Sequence, residues 1–130
     1  MPINLHWEEK GALLEIVGKL CLSDYRQVLK LALLDSRFDD SYYLIVDSTR
    51  QMLGKALSKW ELEVLAYFTA GWYKERYFVS AAVVNLENQA NLDAANCYAK
   101  LAVNPHAIFT NLADARKWVN DNLRDRSQVV

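Results

Sequence analysis

Two stretches of this chain, Tyr42–Val46 and Tyr77–Val84, are apolar almost without interruption and are bounded by polar residues. A strand wetted on one face alternates apolar and polar side chains, whereas one covered on both faces reads as a continuous run. Asp39-Asp40-Ser41 before the first run and Asp47-Ser48-Thr49 after it look like turns. Both runs therefore belong inside a parallel sheet. Parallel neighbours cannot be joined by a tight turn, so helical crossovers must separate them and cover the sheet.

The rest of the chain supplies those parts. Residues 3 to 8 alternate (Ile3, Leu5, Trp7 against Asn4, His6, Glu8), and a turn at Glu9-Lys10-Gly11 leads into a second strand over residues 12 to 18, an opening antiparallel hairpin. Ser23 is read as the N-cap of a first helix that carries Val28, Leu29, Ala32 and Leu33 at helical spacing to about Ser36. Ser58-Lys-Trp-Glu61 has the form of a capping box and starts a long helix to about Glu75. An Ala/Asn-rich helix over Gln89–Leu101 ends before Asn104-Pro105, and His106–Phe109 is a short strand. In the closing helix Leu112, Ala115, Trp118, Val119 and Leu123 share one arc, and Asn111 with Asp114 caps it. The order β-β-α-β-α-β-α-β-α predicts an α/β fold with a mixed, mainly parallel five-stranded sheet and about four helices on both faces. The expected organisation is one domain over residues 1–124, with a polar tail over 125–130.

Composition excludes several classes of function. With 130 residues the chain suffices for one core without staples. A formal charge of −1 gives no field that would draw it onto nucleic acid or an anionic membrane. No apolar run approaches the roughly 20 residues of a membrane span, and the amino terminus lacks a secretory pattern, so cytoplasmic residence is expected. Cys21 and Cys97, in no ligand or redox motif, are expected to be buried, reduced thiols. No motif calls for a metal or cofactor. His6 and His106 have no acidic neighbour at catalytic or metal spacing and are read as structural or surface residues; a Cys97–His106 pair would lack a third, orienting group.

Several segments resemble the SpoIIAA-like branch of the STAS superfamily, whose domains share a layout with CRAL-TRIO-type lipid-binding proteins. They are the hairpin ending Glu15-Ile-Val-Gly18, the helix start Ser23-Asp24-Tyr25, the strand Leu44-Ile-Val-Asp47, and Ile108-Phe-Thr-Asn-Leu-Ala-Asp-Ala-Arg-Lys-Trp-Val119. The resemblance implies a non-enzymatic module that works through protein partners or a bound apolar molecule. Anti-sigma antagonists of that superfamily accept phosphate on a serine in an Asp-Ser-Ser-Gly-type segment at the start of the second helix. The nearest text here, Asp47-Ser48-Thr49-Arg50, has no glycine and precedes the capped helix by about ten residues. Ser48 is the phosphosite candidate on that comparison.

Two groups of candidate site residues follow. Ligands of open α/β sheets gather beyond the carboxyl ends of the strands, which nominates Asp47, Ser48, Thr49, Arg50 and Asn85 to hold a polar head group, in a regulated phosphoprotein or a small enzyme. The competing reading is that these side chains satisfy turn backbone groups. A receiver-type phosphotransfer site is disfavoured, because Lys19-Leu-Cys-Leu and Thr110-Asn-Leu-Ala lack its acidic pair and lysine. The helix from Ser58 is apolar on more than one side: Trp60, Val64, Phe68 and Trp72 run down one, and Leu62, Leu65, Ala66 and Tyr73 down another. Its surplus must meet the loop of residues 51–57 or the first helix, a second copy, or a lipophilic ligand.

Overall fold

The structure, a computed structural model, describes residues 3–19, 21–52, 56–73 and 77–128. Strands β1 (Ile3–Trp7) and β2 (Gly11–Gly18) form the expected hairpin. Then follow helix α1 (Leu22–Leu34), a 3-10 turn (Ser36–Asp40), β3 (Tyr43–Gln51), α2 (Lys59–Tyr73), β4 (Val79–Val83), α3 (Gln89–Leu101), β5 (His106–Phe109) and α4 (Leu112–Gln128). The five strands lie side by side in chain order. β1 runs antiparallel to β2, and the other three pairings are parallel.

This order fixes the layers. Each parallel crossover steps one strand in the same direction, and right-handed steps of that kind put their helices on one face. α1, α2 and α3 accordingly share a face, while α4, which follows the last strand, lies over β3, β4 and β5 on the other. Successive residues of β3 alternate between the two cores. Tyr43 and Ile45 pack with Val79, Ala81, Val83, Ala115 and Val119 under α4. Leu44 and Val46 face Leu14, Ile16, Val28 and Tyr25 on the three-helix side. Full burial of one such side chain is worth about 1.5–3 kcal/mol, which is why the unbroken apolar runs are obliged to be central. β1 at one edge has only one covered face and keeps its alternation.

Local chemistry explains the joints. Ser58 and Glu61 form the reciprocal capping box: Ser58 N–H donates to Glu61 Oε1 (3.0 Å) and Glu61 N–H donates to Ser58 Oγ (3.2 Å). Asn111 caps α4 by accepting from the Asp114 N–H at 2.9 Å. At the amino ends of the strands, Arg116 grips Glu8 with two donors (2.9 and 2.7 Å) and the Tyr43 hydroxyl donates to the same carboxylate. The Arg116 guanidinium holds the Glu8 carboxyl below its ordinary pKa, while burial and that carboxylate push the Tyr43 phenol up to about 12. Gly11 lies beneath the Tyr43 ring, where a Cβ would come within 2.5 Å of ring carbons.

The structure corrects four expectations. α1 begins at Leu22 with Cys21 at the cap position, so Ser23 lies inside the first turn and caps nothing. Cys21 is exposed and Cys97 half-buried rather than both buried; the Cys21 thiol donates to Asp24 Oδ2 at 2.8 Å. β3 continues through Asp47-Ser48-Thr49 to Gln51 instead of turning, because its polar end pairs with β2 across a bulge: Glu15 faces Asp47, but Val17 faces Arg50. α4 reaches Gln128, which puts helix where a tail from residue 125 is expected. Among the described residues no helix is long and apolar enough to cross a membrane.

Candidate functional site

The three-helix face is incompletely filled. A cavity of about 100 Å³ lies between the sheet and α1, α2 and α3. Its cause is residue size. β4 presents Ser80 and Ala82 to this face, and α3 presents Ala94 and Ala95 opposite them. Short side chains on both sides cannot span the gap between a sheet and its covering helix layer. Larger residues close the perimeter: Leu44 and Val46 from β3, Leu62 and Leu65 from α2, Tyr25 from α1 and Leu57 from the segment before α2.

Polar groups stand at two ends. At the carboxyl end Ser48 donates to the Val83 carbonyl (3.0 Å) and accepts from Asn91 Nδ2 (2.7 Å). Asn88, only 1% exposed, caps α3 by accepting from the Asn91 N–H (3.2 Å) and donates to the carbonyls of Gln51 (3.4 Å) and Met52 (3.2 Å). This network ties the start of α3 to the end of β3. At the amino end, Ser80 Oγ lies 2.5 Å from His106 Nδ1 and accepts from Asn104 Nδ2 at 3.0 Å. The Tyr98 ring meets the His106 imidazole edge-on at 5.2 Å between centroids. His106 Nε2 is buried without a hydrogen-bond partner among the described residues. Among the described residues no carboxylate, lysine or arginine lines the cavity. Burial therefore acts unopposed on His106 and pushes its pKa down to about 4; it also raises that of Tyr25.

The residues nominated from sequence do not gather in one place. Of the Asp47–Arg50 group only Ser48 lines the cavity, and at 5% exposure its hydroxyl is already engaged twice. Phosphoryl transfer to it would require the start of α3 to lift away. Asp47 accepts from both the N–H (3.0 Å) and the hydroxyl (2.7 Å) of Thr49, which occupies the donor left over at the bulge. Arg50 pairs with Glu15 at 3.0 Å on the outside, and Asn85 accepts from the Glu87 N–H at 3.0 Å in a turn. On α2, Leu62 and Leu65 face the cavity, whereas Trp60 is 68% exposed; the side chains of Phe68 and Trp72 lie outside the described residues. Among the described residues neither histidine has a carboxylate-and-nucleophile arrangement around it: His6 pairs with Glu15 at the surface, and His106 faces Ser80 and Tyr98. Among the described residues no cluster of His, Cys, Asp or Glu has the form of a metal site. Sequence reasoning passed over Ser80, Asn91, Tyr98 and the cavity role of His106. The available signal was the facing of two small-residue segments, Ser80-Ala-Ala82 and Ala94-Ala95.

No family model matches the chain, and no curated protein matches it. A solved structure, that of an uncharacterized protein of the DUF3478 family with a SpoIIAA-like fold from Shewanella loihica PV-4, matches 90% of this chain and 91% of its own, with a TM-score of 0.58 and 22% sequence identity. The fold is SpoIIAA-like. In this SpoIIAA-like domain the cavity sits under the crossover helices, on the face away from α4.

Proposed function

We propose that this SpoIIAA-like domain is a non-catalytic binding module that holds a small lipophilic molecule between its sheet and its three crossover helices. The observation that carries the reading is the largely apolar cavity of about 100 Å³. An engineered apolar cavity of about 150 Å³ binds benzene, so the space here suits a guest of similar or slightly smaller size, or one end of a longer one. The lining supports binding over reaction. Ser80, whose hydroxyl meets His106, is 4% exposed within the sheet, and among the described residues no acidic group orients that histidine.

The test combines filling with titration. Ala94→Leu adds three carbons into the space, and Ala94 and Ala82 amides report on binding of benzene by ¹H–¹⁵N NMR. The expected result is that benzene moves these amides in the wild type and not in the variant, while stability stays within about 1 kcal/mol or rises. A loss of about 1–3 kcal/mol, the usual cost of overpacking, with no response to benzene in the wild type, would refute the reading.

A second reading, attachment to a protein partner or a second copy, is favoured by one feature of α2. Trp60 (68% exposed), Val64 and Tyr67 (87% exposed) follow helical spacing along its outer side. Light scattering on the wild type and on Trp60→Asp/Tyr67→Asp tests it; self-association in the first and a monomer in the second is the result that this reading requires.

A further inference from the structure

We draw no further inference here: the strongest candidate, the outward face of α2 that leaves Trp60 and Tyr67 exposed, carries nothing beyond the second reading above, because nothing in the structure shows what covers it.

Discussion

Lowering the pH from 7 to 5 should destabilise this protein through the buried His106 imidazole. In the unfolded chain His106 takes up a proton as the pH falls through its ordinary value of 6.5; in the folded domain burial holds it neutral down to about 4. The unfolded state therefore binds more protons throughout that window. The stabilisation is complete above pH 6.5 and drains away as the pH drops toward 4. At about 1.4 kcal/mol per pH interval, the whole window corresponds to about 3 kcal/mol, of which about 2 kcal/mol is lost between pH 7 and pH 5. For a domain of this length that equals a fall of about 7 °C in Tm. Carboxylates also titrate at the low end, so the informative quantity is the difference between wild type and His106→Phe, measured by urea unfolding at pH 7, 6 and 5. The variant should be flatter between pH 7 and 5 by about 2 kcal/mol, whatever its absolute stability. Parallel curves would show that the imidazole is solvated in the folded state and would refute its burial as the cause of the pH dependence.

Three other substitutions test the joints of the fold. Gly11→Ala drives a methyl into the Tyr43 ring, which cannot withdraw while its hydroxyl is held by Glu8, and should cost about 1–3 kcal/mol in urea unfolding. Asn88→Ala removes the α3 cap and the bonds to the Gln51 and Met52 carbonyls; a loss of about 2 kcal/mol is expected, with faster amide exchange in the first turn of α3. Ser58→Ala opens the capping box and should lower stability by about 1 kcal/mol without altering benzene binding, since its contacts are local to the start of α2.

The architecture was legible wherever the cause was local. Ser58 and Glu61 announce a helix start through a bond that spans three residues, and the β3 and β4 runs announce double burial by composition alone. Gln89–Leu101 and His106–Phe109 are found where Asn and Pro punctuation places them. What escaped depended on distant partners. Asp47, Ser48 and Thr49 have the composition of a turn, and only the pairing of Gly18 with Gln51 across a bulge makes them strand. That bulge also turns Ser48 and Gln51, three residues apart, to the same cavity. His106 looked isolated because its neighbours, Ser80 and Asn104, come together only when β5 settles beside β4. A cavity is still harder to read, because it is defined by side chains too short to meet, and Ala94 facing Ala82 becomes visible only once register is known.

The terminal helix α4 gives the division of the domain into two cores a mechanical meaning. Ala115 and Val119 pack against Ile45, Val79 and Val83 on the face opposite the cavity, so cohesion there does not depend on whether anything occupies the other layer. On the binding function proposed above, a guest would come and go beneath α1, α2 and α3 while the sheet keeps its twist and register, and the empty domain would stay folded instead of awaiting its ligand as an unfolded chain.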